Sequence, residues 1–328
     1  MVAIARKTKL STGASLPVLL GIVAACIFLL VGSLSSTIFA QQTVAGLSQG
    51  AIFASLALAL VLIYRATEVI NFAQGELAMA TTYIAYQLTL WGLGYWLAFF
   101  LTLVISFVIG LAVYGVLIRP VQHRSVIALV IITVGLFILI DGLVTWKWGA
   151  DLKFMPAPFG NQVYHAGGVS FSRQDIGVLL VSILSVILLW ILFQFTKLGL
   201  AMRAAALRPA AASLVGVRVD WMLAVGWGLA ATLGAVAGLM TEPYVFLQPS
   251  MMQAVLLYAF AAAVLGGLES PAGSVIGGLA IGVFLNLIGQ YVGFATSELR
   301  LPIAFAVLLV ILLFKPTGLF GRRQVRRV

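Results

Sequence analysis

The sequence predicts an all-α polytopic integral membrane protein with about ten transmembrane helices, within a range of eight to ten. Three observations predict it. Of the 328 residues 62% are hydrophobic and only 9% charged, and the mean hydropathy is +1.15, outside the range of soluble globular domains. The apolar residues lie in continuous runs, each near the roughly 20 residues a helix needs to cross a hydrocarbon core of about 30 Å. The basic residues collect on alternate connections between those runs. A soluble fold would have to bury about ten such runs in one core. Strand-built barrels are excluded because the runs are continuous instead of alternating.

In chain order the runs lie at about 16–39, 43–64, 69–91, 95–118, 125–146, 175–195, 221–240, 250–267, 272–291 and 301–314. With a cytoplasmic N-terminus, fifteen of the 19 Lys and Arg residues fall on inside segments: Arg6, Lys7, Lys9, Arg65, Arg119, Arg124, Lys197, Arg203, Arg208, Arg218, Lys315, Arg322, Arg323, Arg326 and Arg327. Lys147, Lys153, Arg173 and Arg300 fall outside. The net charge of +10 therefore records membrane orientation, not a nucleic-acid partner. Both the C-terminus and the 197–220 segment face the cytoplasm in this arrangement, and so does the N-terminus if the first helix is retained.

Residues 1–40 carry two readings, a retained transmembrane helix or a signal peptide. Arg6, Lys7 and Lys9 followed by an apolar stretch ending in "STIFAQQ" fit both, and Ile38 is a poor residue at the third position before a cut after Ala40. Residues 41–328 form the membrane domain proper, with a cytoplasmic segment at 197–220. The outer connection, Lys147 to Gln174, contains Pro156, Pro158 and Gly160 and reads as irregular structure. The inner one, "TKLGLAMRAAALRPAAASLVGVRVD", favours helix up to Arg208, and Pro209 can start a second turn. Met202, Leu207 and Leu214 beside Arg203, Arg208 and Arg218 make it amphipathic. Such an element either lies on anionic lipid or docks in a groove of a soluble partner.

Small-xxx-small pairs, Gly46 with Gly50, Gly234 with Gly238, Gly273 with Gly277 and Gly278 with Gly282, point to close helix packing. The stretch "VINFAQGELAM" (69–79) sets Asn71, Gln74 and Glu76 inside an apolar run. Residues 77–91 alone would span only about 22 Å, so the crossing includes Asn71–Glu76. On a continuous helix Asn71, Gln74, Gly75, Ala78 and Thr82 share one small, polar stripe and Glu76 projects away from it. Alternatively the chain breaks at Gly75 and Glu76 occupies a first helical turn, where the dipole favours an anion. Both a functional and a purely structural role for this carboxylate fit. Asp141 and Glu242 near outer helix ends, Asp175 and Asp220 at helix starts and Glu298 in an outer loop read as interfacial.

Cys26 is the single cysteine, so no intrachain disulfide or Cys-based metal site can form. The two histidines, His123 and His165, fall on opposite sides and make no zinc pair. No Gly-Lys dipeptide occurs, which excludes a Walker A loop, so energy from ATP has to come through a partner. No nucleophile–base or metal set marks an intramembrane enzyme.

Four blocks in order resemble the LivH-type permeases, the membrane subunits of branched-chain amino acid ABC importers: "GLSQGAIFASLALALVLIYRATEVINFAQGELAM" (46–79), "AMRAAALRPAAASLVGV" (201–217), "AAAVLGGLESPAGSVIGGLAIG" (261–282) and "FKPTGLFG" (314–321). The resemblance runs from about Gly46 to the C-terminus. It implies a non-enzymatic permease subunit of a bacterial inner membrane that binds no cofactor or metal itself. It also implies a second homologous permease, two cytoplasmic ATPases that hold the ATP, a periplasmic binding protein, and alternating access. Met202, Arg203, Arg208 and Leu214 would couple to the ATPase, and Asn71, Gln74, Gly75 and Glu76 would form a translocation or helix-packing motif. The chain departs from the family in having Gln74 where His is usual and Ser250, Met251, Leu257 and Tyr258 where Gly and Lys are common. It also lacks the acid or amide usual near Leu207–Arg208. Urea or short-amide permeases share the blocks. From a different class, an ion-coupled secondary transporter or channel would use Glu76 or Asp141.

Overall fold

A computed structural model describes residues 36–122, 124–160, 162–166, 169–292 and 299–321. Most of the first apolar run, Cys26 and the choice between retained helix and signal peptide lie outside the described residues, as do His123 and Glu298. The helices are α1 (Ser36–Thr67), α2 (Gln74–Leu90), α3 (Tyr95–Val113, continued by a π-turn over Tyr114–Ile118), α4 (Val126–Trp148), α5 (Arg173–Phe195), α6 (Lys197–Leu207), α7 (Pro209–Leu214), α8 (Val219–Val245), α9 (Gln253–Gly266, entered through a 3₁₀ turn at Pro249–Met252), α10 (Pro271–Tyr291) and α11 (Arg300–Phe314). Among the described residues seven helices are long and apolar enough to cross a membrane. Two more, α2 with 17 residues and α11 with 15, are shorter. The polytopic all-α class holds.

Two boundaries differ from expectation. The break anticipated near residue 40 is absent: α1 continues through Ala40, Gln41 and Gln42. The two glutamines read as an interruption, yet Gln42 Nε2 donates to Gln290 Oε1 on α10 at 3.2 Å. The outer connection is not wholly irregular. Val163–Ala166 (β1) and Val169–Ser172 (β2) pair antiparallel, with Tyr164 opposite Phe171. Their β-branched and aromatic residues flank Gly167-Gly168, a hairpin signal in the sequence.

The core is organised around α1, which is buried along most of its length. It crosses α10 at backbone contact distance. A Cβ added at Gly282 would lie 2.3 Å from Gly50 Cα, and one at Gly278 would lie 2.4 Å from Ala54 Cα. Only glycine permits that approach, which is the packing the paired small residues predict. Beside the glycines, Asn286 Nδ2 on α10 donates to Gln49 Oε1 on α1 at 2.8 Å. The same logic joins α9 to α10, where a Cβ at Gly277 would meet Ala262 O at 2.4 Å. At the end away from the arginines, Tyr244 of α8 donates to Asp175 Oδ1 at 2.8 Å and shares a 3.1 Å hydrogen bond with Ser48, tying α8, α5 and α1 together. Asp175 also completes a capping box with Ser172 at the start of α5.

The α1–α10 crossing generates a test. Gly282→Val should cost about 1–3 kcal/mol through overpacking, lowering the thermal unfolding midpoint of the protein in detergent. Gly135→Ala on α4, where an added Cβ meets nothing within 4 Å, should change stability by no more than about 0.5 kcal/mol. Equal behaviour of the two variants would contradict the close crossing.

Candidate functional site

Between α1 and α2 the chain leaves helical geometry. Glu68 sits at φ 57°, and the helix resumes only at Gln74. The break therefore falls just before Gln74, ahead of Gly75, and the continuous helix through Asn71 is not formed. Asn71 builds the turn: its Oδ1 accepts from Ala73 N at 3.1 Å, and Gln74 N donates to Asn71 O at 3.2 Å. Asn side chains favour this local bonding over helix. Asn71 Nδ2 then donates to Gln74 Oε1 at 3.2 Å, and Gln74 Nε2 donates to Ala230 O on α8 at 2.9 Å. Asn71 and Gln74 are fully buried, so each bond satisfies a polar group that lipid or core would leave costly.

From this anchor the face Gln74–Ala78–Thr82 lies on the glycine stripe of α8. A Cβ at Gly234 would lie 2.7 Å from Gln74 Nε2, and one at Gly238 would lie 2.6 Å from Ala78 O. Gly75 packs against Leu256 of α9. These residues are helix-packing residues in this structure. Glu76 is different. It occupies the first turn of α2, buried with 1% exposure, and its Oε2 has no hydrogen-bond partner among the described residues. Two residues beyond Gln74, it projects from a different face of α2 than the one packed on α8. Glu242, expected at an interface, is also buried, and its Oε1 accepts from Met155 N at 3.0 Å. With the Lys153–Leu247 bridge and the Phe154–Phe246 ring contact at 5.0 Å, it clamps the 149–160 segment to the end of α8.

At the opposite, arginine-rich end, α6 and α7 form as the composition predicts. Thr196 caps α6 and Pro209 opens α7. The four coupling candidates do not share a surface. Met202 is buried and packs near Gly226 of α8, so it anchors the element instead of presenting it. Arg203 is half-buried, donating to Gln194 Oε1 at 3.3 Å. Arg208 and Leu214 project outward, and Leu207 and Val215 join them, with Leu214 88% exposed. Val215 was missed because it follows α7 and belongs to no helical stripe. Beneath this element a cavity of about 1000 Å³ opens between α1, α5 and α10, with Arg65, Glu68, Arg203 and Glu269 at its polar end. An Arg119–Asp220 ion pair at 2.9 Å, largely solvent-exposed, links the π-turn to the start of α8; exposed pairs of this kind contribute little stability. No group of three metal-ligating side chains occurs among the described residues.

The profile of a protein family described as "Branched-chain amino acid transport system / permease component" matches residues 42–312. The chain belongs to that permease family. The match spans everything from the first turns of α1 to the last turn of α11. Among its relatives are the high-affinity branched-chain amino acid transport system permease protein LivH of Escherichia coli strain K12, 31% identical over 88% of this chain and 98% of that one. BraD of Pseudomonas aeruginosa, with the same descriptive name, is 30% identical over the same shares. A probable LivH of Methanocaldococcus jannaschii is 31% identical over 81% of this chain and 87% of that protein. This permease is thus a multi-pass membrane transport subunit, not a catalytic one. Its two polar features, the Asn71–Gln74 turn and the α6–α7 element, both lie within the matched region.

Because Asn71 and Gln74 act as one unit, their removal should be non-additive. Asn71→Ala and Gln74→Ala should each destabilise the permease by about 1–3 kcal/mol. The double variant should lose clearly less than the sum. Unfolding of the three variants in detergent micelles measures the difference, and strict additivity would show that the two amides act separately.

Proposed function

We propose that this chain is one of two homologous permease subunits of an ATP-binding cassette importer that moves branched-chain amino acids across a bacterial inner membrane. Two cytoplasmic ATPases and a periplasmic binding protein complete the machine. The observation that carries this is the family match over residues 42–312, together with relatives named for branched-chain amino acid transport that align over nearly their whole length.

The basic-residue bias supports a cytoplasmic location for the end that carries α6 and α7. There, exposed Leu207, Arg208, Leu214 and Val215 give a small apolar patch with one cation, suited to a groove on a soluble ATPase. Met202 and Ala205 bury the other side of α6 against the membrane helices, so a push on the exposed side is transmitted to α8 as a rigid body. An ATPase pair that contacts this element differently in its two nucleotide states shifts the permease between inward- and outward-facing forms by that difference in contact energy. The apolar, lightly charged interior suits branched-chain side chains. Urea or short amides would pass a similar path, and the binding protein sets which is delivered.

Two outcomes check this. Co-expression with its ATPases and binding protein, followed by mild-detergent purification, should recover the ATPases with the permease. Arg208→Glu should reduce that recovery several-fold while leaving membrane insertion intact. In proteoliposomes, leucine uptake should require ATP, ATPases and binding protein together, and ion-gradient-driven uptake by the chain alone would overturn the importer reading.

A further inference from the structure

Helices α2 and α4 run side by side in the same direction, and two contacts fix their register. The Tyr83 and Trp148 rings meet at 5.3 Å between centroids, and Trp148 Nε1 donates to Gln87 Oε1 at 3.0 Å. Seven residues, about two turns or 10 Å, separate Tyr83 from Glu76 and likewise Trp148 from Asp141. The register that brings Tyr83 against Trp148 therefore sets Glu76 level with Asp141.

Three oxygen-bearing groups thus line the seam between α2 and α4, the two carboxyls at one level and Tyr83 about two turns further along. Glu76 Oε2 and Tyr83 Oη are buried without a hydrogen-bond partner among the described residues. Asp141 makes no hydrogen bond or ion pair within them. Neither α2, α3, α8 nor α9 contains a Lys or Arg, and the one on α4, Lys147, sits over the Trp148 ring near the helix end. A carboxylate facing lipid at this depth costs about 2.5–3.5 kcal/mol, so such groups face protein or a watered path. Yet α4 is mostly uncovered in this chain, and Ile138 and Gly142, flanking Asp141, point outward. The Asp141 side of α4 therefore borders either the second permease subunit or the space between the two.

We propose that Asp141, Glu76 and Tyr83 form a cation site on the translocation path that receives the primary ammonium group of the transported amino acid. The site rests on the importer reading for its substrate. Its chemistry is simpler: the two carboxylates accept from the ammonium N–H groups, the Tyr83 oxygen borders the site, and the arriving charge offsets one of the two carboxylate charges. Ala80 and Val144, one turn further along, add no positive charge for the substrate carboxylate, so recognition here is of the ammonium end.

Ligands that keep one end of leucine and drop the other provide the test. The assembled permease–ATPase complex in detergent, without binding protein, is titrated with leucine, with leucinol, which keeps the ammonium and lacks the carboxylate, and with 4-methylpentanoate, which does the reverse. Leucine and leucinol should raise the thermal unfolding midpoint and 4-methylpentanoate should not. Asp141→Asn should weaken leucinol binding about ten- to hundredfold, the loss of one charge-assisted hydrogen bond, and Asp141→Glu should restore part of it. The wild-type ligand series decides even if a variant does not fold. An equal response to 4-methylpentanoate, or an equal response to NaCl at the same concentration, would overturn the proposal, the second by making the site one for inorganic cations. Leucinol binding is read without ATP or uptake. Failure of leucine uptake would therefore count against the importer reading, and failure of the ligand discrimination against this site.

Discussion

Lipid gives an apolar side chain no reward for leaving it, so the bundle depends on how closely its helix backbones approach. The crossing of α1 over α10 is the extreme case: at Gly50, Gly278 and Gly282 there is no room for a single methyl group. Dispersion between backbones at that distance, reinforced by the Gln49–Asn286 hydrogen bond, fixes the two helices as one unit. Other contacts are arranged around this pair. α9 rides on α10 through Gly277, and α2 rides on α8 through Gly234 and Gly238. Rearrangement of the bundle is expected between such units and not within them, because within a unit the backbones already touch.

Helix positions were readable because each run has to span a fixed thickness, and nine of the ten expected runs each coincide with a described helix, with ends displaced by up to seven residues. The failures share one physical cause. Gln41 and Gln42 read as a break, because the partner that satisfies Gln42 is Gln290, far along the chain. Glu242 read as interfacial, because its acceptor role depends on Met155 in a loop folding back over the end of α8. Polar residues inside a membrane protein are placed by long-range pairing, and one chain's local pattern contains no trace of the pair. The α6–α7 segment was readable for the opposite reason: Thr196, the alanines and Pro209 act locally.

The Asn71–Glu76 stretch shows both situations within six residues. Asn71 could be recognised as a turn former and Gln74 as a packing residue from their types and spacing, but the partner of Gln74, the Ala230 carbonyl, could not. A glutamine serves there without a proton to exchange, since its amide donates and accepts in fixed directions, from Asn71 and to α8. Where a histidine would introduce a titratable group, Gln74 gives a permanent tie. The start of α2 is therefore held independently of pH.

That tie has a consequence for Glu76. Gln74 and Gly75 lock the first turn of α2 between α8 and α9, and Glu76, about half a turn beyond Gln74, projects from the opposite face of the helix. The carboxylate cannot swing toward the arginine-rich end, because Asn71 closes the turn beneath it. It also cannot reach Glu242 or the outer clamp, which lies at the far end of α8. An α4 that moves relative to α2 changes the separation of Asp141 from Glu76 directly, and it alters the contacts of Trp148 with Tyr83 and Gln87 as well. The electrostatic cost of bringing the two carboxylates together without a counter-charge then opposes one arrangement of the helices and is relieved by a bound cation. A group held rigidly on one helix and opposed by a like charge on a less encumbered one is a physical means by which a positively charged ligand can bias the position of α4.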